Sequence, residues 1–173
     1  NPKYAQAHNN LGNSYKDQEL LDEAFKSYQL AISIDPNFAE AHFNLGVSFQ
    51  YLNETNAAVN CFKKSIDLNP NYFEAYFSLG NINHQLEKYD AAIDNYQKAI
   101  SINSNYTEAY CNLGDAFAEV HRLEEAVKSY KNAILINPKS IEAYINLSFN
   151  LQNLGRLEEA ENNCRRAIDL NED

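Results

Sequence analysis

Residues 39–72 read AEAHFNLGVSFQYLNETNAAVNCFKKSIDLNPNY, and the chain is this stretch written five times with variations. Leu45-Gly46 returns as Leu11-Gly12, Leu79-Gly80, Leu113-Gly114 and, with serine for glycine, Leu147-Ser148, each step being 34 residues. Ala58 belongs to a column with Ala24, Ala92, Ala126 and Ala160, and Ile66 to one with Ile32, Ile100, Ile134 and Ile168. Pro70 is matched by Pro2, Pro36 and Pro138, with Ser104 in the remaining slot. A fixed period of this length means a stacked array of one supersecondary unit, which cannot bury its apolar face alone.

Within a repeat, His8, Leu11, Gly12 and Tyr15 fall at i, i+3, i+4 and i+7, one face of an α-helix. Ala24, Tyr28, Ala31 and Ile32 repeat that pattern on a second helix. Small residues in the Gly12 and Ala24 columns permit close helix approach, and the aromatics of the Tyr28 column fill the space between layers. Pro36, Pro70 and Pro138 cannot continue a helix and so end each second one. Asn37, Asn71 and Asn105 stand three residues before Glu40, Glu74 and Glu108, the spacing of an N-cap and its capping-box partner. Asp22, Asp90, Glu124 and Glu158 sit where they complement the dipoles of the second helices. The frame divides the chain into residues 1–4, read as the tail of an upstream repeat, then repeats at 5–38, 39–72, 73–106, 107–140 and 141–173.

The hydrophobic share of the 173 residues is 45%, enough to build a core of ordinary size. Lys and Arg number 14 against 24 Asp and Glu, a net charge of −10, so the chain lacks the basic field that gathers nucleic acid. Its longest apolar run, Ala133-Ile134-Leu135-Ile136, is far short of the ~20 residues of a membrane span, so no membrane is expected as a partner. Cys61, Cys111 and Cys164 form an odd, widely spaced set with no Cys-x-x-Cys pair, which fits a reducing, cytoplasmic setting and no zinc. The absence of Met gives the expectation that the chain is a piece of a longer one. Four glycines serve packing and Gly155 serves a turn, leaving none for a phosphate-cradling loop. His8 and His42 share a core-facing column, and nothing sets up a nucleophile beside a buried base. The reading is of no enzyme, no metal and no cofactor.

One stripe of the first helices is not needed for the core. Gln6, Asn9, Asn13 and Lys16 lie within about 80° of one another on a helical wheel, opposite His8, Leu11 and Tyr15. Down the repeats the Asn9 column reads Asn9, Phe43, Phe77, Cys111, Ile145, and the Asn13 column reads Asn13, Val47, Asn81, Asp115, Phe149. Beside them runs Asn10, Asn44, Ser78, Asn112, Asn146. Side-chain amides both donate and accept, so such a ladder suits the backbone of an extended peptide, while Phe43 and Phe77 suit its apolar side chains. The candidate peptide-binding residues are Asn9, Asn10, Asn13, Phe43, Asn44, Phe77, Asn81, His84, Asn112 and Asn146. The same asparagines can instead bond neighbouring helices, and the same phenylalanines can pack within the stack.

The columns resemble the tetratricopeptide repeat, with its aromatic, Leu-Gly, aromatic, Ala, aromatic, Ala and Pro in that order. Tyr76, Tyr110 and Tyr144 fill the first aromatic slot, which His8 and His42 occupy in the first two repeats. The resemblance implies an all-α, right-handed solenoid of five helix-turn-helix units whose concave groove grips an extended peptide or partner helix. The carboxylate clamp of some family members uses Lys and Arg on these helices. Here Glu40, Glu74, Glu108 and Glu142 stand in that stripe, so acidic chaperone C-termini are disfavoured and a neutral or basic partner is expected. The run Ala39-Glu40-Ala41-His42-Phe43-Asn44-Leu45-Gly46 with the Asn ladder is also similar to the repeats of O-linked N-acetylglucosamine transferases, where the array delivers substrate to a catalytic domain. A third possibility is self-association through the array ends. There Glu161 replaces Phe25, Val59, Ile93 and Val127, and Cys164 replaces an aromatic, as a polar terminal cap would. Asn83 in an aromatic column and Ser104 in place of proline mark the third repeat as the expected soft joint.

Overall fold

The computed structural model describes residues 2–172, and the side chains of 3–171 among them. The described residues form ten α-helices and no strand: α1 (Pro2–Asp17), α2 (Leu21–Ile34), α3 (Ala39–Tyr51), α4 (Thr55–Leu68), α5 (Phe73–Gln85), α6 (Tyr89–Ile102), α7 (Thr107–Glu119), α8 (Leu123–Ile136), α9 (Ile141–Asn153) and α10 (Leu157–Glu172). They fall into two compact units, one ending at Leu79 and one beginning at Gly80. In the first, α1 packs on α2, α2 on α3 and α3 on α4; in the second, α6 packs on α7, α7 on α8, α8 on α9 and α9 on α10. Lys3 and Tyr4, read as the tail of a preceding repeat, continue α1 here, while Asn1 lies outside the described residues.

The Leu-Gly column explains how closely the paired helices approach. A Cβ on Gly12 would stand 2.5 Å from the Tyr28 ring, and one on Gly80 2.5 Å from that of Tyr96; Gly46 and Gly114 meet Phe62 and Tyr130 in the same way. Each aromatic therefore occupies the space that a side chain at the glycine would need, and Tyr28, Phe62, Tyr96 and Tyr130 are all fully buried. In the first unit, Ala24, Tyr28 and Leu45 form a core to which Tyr15, Phe25, Ile32, Phe49 and Cys61 add. In the second, Cys111, Ala133 and Ala143 do the same with Tyr110 and Ile134.

Two turns recur. Within hairpins, Glu19, Asn53, Glu87, His121 and Gly155 all have φ between 57° and 74°, the left-handed conformation that closes a helix C-terminus. The following amide donates back to the last turn, as Arg122 does to Phe117 O at 2.9 Å. Between hairpins, a side-chain oxygen at Asp35, Asn69, Asn103 or Asn137 accepts from the backbone N–H two residues on, at 3.0–3.1 Å.

That second turn corrects the expected capping boxes. Asn37 and Asn105 are bound into it through their N–H groups, and the N-cap positions of α3 and α7 fall one residue later, on Phe38 and Tyr106, with no side-chain cap. Ser140 does cap α9, accepting from the Ala143 N–H. The joint after α6 keeps the same geometry with Ser104 where the others have proline, because Asn103 supplies the side-chain acceptor.

Candidate functional site

The asparagines of the first helices bind one another. In the first unit, Asn13 Oδ1 accepts from the Tyr28 hydroxyl at 2.9 Å and from Asn44 Nδ2 at 3.2 Å. Asn44 Nδ2 also reaches Asn9 Oδ1 at 2.9 Å, and Asn9 Nδ2 donates to Glu40 at 2.8 Å. In the second unit, Asn81 Oδ1 accepts from the Tyr96 hydroxyl and from Asn112 Nδ2, both at 2.9 Å. Asp115 Oδ1 accepts from the Tyr130 hydroxyl at 2.7 Å and from Asn146 Nδ2 at 3.0 Å. The donors are 15 and 31 residues beyond the acceptor in each case, so one oxygen ties together both helices of its own repeat and the first helix of the next.

These junctions occupy much of what the sequence offered to a peptide. Asn9 and Asn44 are buried and committed within the first unit. Asn10 is exposed and accepts from Gln6 Nε2 at 2.9 Å. Phe43 is half-buried, with its ring centroid 5.5 Å from that of Phe62 and 5.0 Å from that of Tyr72, so part of its apolar surface is spent on packing. Phe77 is half-buried as well. Nonpolar Val47 and Phe62 take the places of the acceptor and hydroxyl in the second repeat, which removes the polar junction there.

In the second unit some of these residues meet at an opening. Asn81, His84, Gln85, Tyr96, Asn112 and Asp115 line a cleft of about 270 Å³. His84 stands edge-on to Tyr89, with centroids 5.2 Å apart, and its buried Nε2 has no hydrogen-bond partner. Burial pushes the Asp115 carboxyl above its ordinary pKa of 3.8, against hydrogen bonds from Tyr130 and Asn146 and the nearby His84, which favour the ion. Tyr96 and Tyr130 are pushed up by burial first, as is Tyr28, to about 12, so all three stay protonated donors at neutral pH. Gln85, Tyr96 and Asp115 were not among the residues picked out from sequence. The available signal was Asp115 itself, the one acidic residue in the Asn13 column.

Burial raises the Cys61 and Cys111 thiols, the latter to about 12, whereas Cys164 is exposed; all three are free. Among the described residues no group of three His, Cys, Asp or Glu side chains is arranged to hold a metal, and no helix is long and apolar enough to cross a membrane.

Sequence profiles for repeat families match nearly the whole chain. One described as TPR repeat covers residues 12–52 and 80–120, and others described as tetratricopeptide repeat cover 39–72 with 107–140, 61–94 and 141–173. No curated protein sequence matches significantly. Among solved structures, a crystal structure of MamA is 29% identical with a TM-score of 0.85, covering 94% of this chain and 95% of that one. MamA from Desulfovibrio magneticus RS-1 has a TM-score of 0.86 at 20% identity, over 98% of this chain and 96% of that one. YrrB, described as a TPR protein with an unusual peptide-binding site, has a TM-score of 0.79 at 23% identity, over 96% of this chain and 86% of that one. Repeat columns, helical hairpins and profile matches agree that the chain belongs to the tetratricopeptide repeat family.

Proposed function

We propose that the chain is a non-catalytic interaction module that holds an extended segment of a neutral or basic protein against its odd-numbered helices. The observation that carries this reading is the polar cleft of the second unit, whose lining includes Asp115 Oδ2 and the Asn112 carbonyl, atoms that the junctions between repeats leave unused. The same unit carries exposed apolar groups on α9, where Ile145 and Phe149 flank Asn146 in sequence and are 52% and 62% exposed. A cleft with convergent polar groups, on a unit that also exposes apolar side chains, suits a peptide whose backbone and side chains are both engaged. YrrB, with the same fold and a described peptide-binding site, lends support by analogy. As an arm of a larger enzyme, including one of the O-linked N-acetylglucosamine transferase kind, the array would use the same face to bring a substrate protein in.

The test is selection of random displayed peptides on the purified chain, followed by titration of the strongest binders against Asn112→Ala and Phe149→Ala, with helicity checked in both. Loss of affinity in both variants supports the reading. Unchanged binding in both, with folds intact, would place the partner elsewhere and defeat it.

Self-association through the ends is a second reading, favoured by one comparison. Leu11 is 42% exposed while Leu147 in its column is 2% exposed, and at the other end Ile168 is 57% exposed. Sedimentation of the chain at increasing concentration tests it. A single monomeric species throughout would rule it out.

A further inference from the structure

Asp115 carries a charge that its structural task does not require. Its Oδ1 accepts from Tyr130 and Asn146, the work that Asn13 and Asn81 perform in their own junctions with a neutral carbonyl. A carboxylate in a half-buried place is costlier than an amide unless something compensates its charge. The other oxygen, Oδ2, has no hydrogen-bond partner among the described residues and is left to the cleft. A further acceptor lies beside it. Asn112 has committed its Nδ2 to Asn81, and its carbonyl has no partner among the described residues. His84 also lines the cleft, its Nε2 being buried without a partner.

None of the six lining residues is Lys or Arg. The cationic side chains of this unit that form ion pairs are engaged elsewhere: Arg122 with Glu125, Arg156 with Glu124 and Glu159, Lys131 with Glu159 and Arg165 with Glu161. At about 270 Å³ the cleft is smaller than the ~300–1,000 Å³ of small-molecule pockets and has the scale of one inserted side chain.

The geometry points to a binding site for a guanidinium group, in which an arginine of the held segment pairs with Asp115 Oδ2 and donates to the Asn112 carbonyl, with the His84 ring as a wall of the site. This rests on the reading that the odd-numbered helices hold a segment, and it supplies the partner's chemistry. Arginine suits the site better than lysine because its planar fork has five N–H donors to spread over acceptors on separate side chains, whereas an ammonium is a compact point charge. The site is particular to the second unit. In the first, the positions of His84 and Asp115 correspond to Lys16 and Val47, which offer a guanidinium no carboxylate.

Random dodecapeptides are selected on the full chain, and the strongest binders are resynthesised with each arginine replaced by citrulline or by lysine. Their dissociation constants are compared for the unmodified chain and for Asp115→Asn, which retains an acceptor for Tyr130 and Asn146. The expected result is that binders contain an arginine whose change to citrulline weakens binding about tenfold or more, the scale of a charge-assisted hydrogen bond. Lysine should restore only part of that loss, and the citrulline effect should vanish in Asp115→Asn. Peptides that bind equally well as citrulline forms, or an effect that persists in Asp115→Asn, would overturn the arginine site while leaving segment binding intact. Equal affinity of lysine and arginine forms would overturn the guanidinium assignment. If no peptide binds the chain at all, the interaction reading fails and this inference fails with it.

Discussion

The Tyr130 hydroxyl donates to Asp115 Oδ1 at 2.7 Å, joining α8 to α7, and the same oxygen receives Asn146 from α9. Three helices thus meet on one atom. Tyr96, Asn81 and Asn112 repeat the arrangement at the preceding junction with an amide as the acceptor. The difference between the two junctions is one charge.

That charge sets a pH dependence. Because burial raises the folded Asp115 pKa above 3.8, the folded chain keeps a proton over a range in which the unfolded chain has lost it. The group's contribution to stability is therefore fully present below 3.8 and is lost as pH rises through the folded value. Asp115→Asn should be more stable than the parent at neutral pH, with the gain shrinking on acidification. Urea midpoints of both proteins across pH 3–7 measure this. A gain that is constant with pH, or a loss at neutral pH, would refute it.

Gly80 allows the Tyr96 ring to lie where a methyl group would stand, 2.5 Å from its nearest carbon. Gly80→Ala should cost about 1–3 kcal/mol by overpacking despite alanine's better helix propensity. The same substitution in a Tyr96→Leu background should cost less, since the clashing ring is gone. A denaturant double-mutant cycle reads the coupling, and strict additivity would count against the contact.

Glu87 and His121 adopt φ values of 57° and 59° without being glycine. Glu87→Gly or His121→Gly should stabilise by about 0.5–1 kcal/mol, the relief of a left-handed side chain less the added freedom of the unfolded chain. Gly155→Ala, at φ 74° with nothing near its Cβ position, should destabilise through backbone strain alone. Thermal melts of the three variants decide the matter.

Ser104 follows Asn103, whose φ of −122° and ψ of 94° lie in the extended region that a residue before proline prefers. Proline already stands at the matching place in three other joints. Ser104→Pro should therefore add about 0.4–1 kcal/mol by restricting the unfolded chain. Hydrogen exchange should show α5 and α6 opening before α7 and α8 in the parent protein and this order weakening in the variant. Uniform protection in both would show that the joint is not soft.

The helical architecture was legible because the Leu, Ala and Ile columns each repeat five times and a proline stops the second helix in three of the repeats. Helix faces follow from spacing, and α3, α5, α7 and α9 begin at Ala39, Phe73, Thr107 and Ile141. Hydrogen-bond partners are another matter. The links from Tyr28 to Asn13 and from Asn44 to Asn13 span 15 and 31 residues, and wheel positions do not say which amide meets which. Spacing therefore leaves the ladder open to either a peptide or a neighbouring helix, and in the fold Asn44, Asn112 and Asn146 each direct Nδ2 into a junction. The N-caps were displaced by one residue because Asp35 and Asn103, two residues ahead of Asn37 and Asn105, capture their N–H groups. Asp115 stood in plain view as an acid among amides, but only the shared oxygen and the cleft show that its charge is surplus.

The central claim is that junction asparagines hold the repeats together while the cleft beside Asp115 receives the partner. The most direct measurement is the change in side-chain amide and imidazole NMR signals when a selected arginine peptide is added to the chain. The account predicts the largest shifts at Asn81, His84 and Asn112, with the Asn9 and Asn44 amides nearly still. Large shifts at Asn9 and Asn44 with His84 unmoved would contradict it.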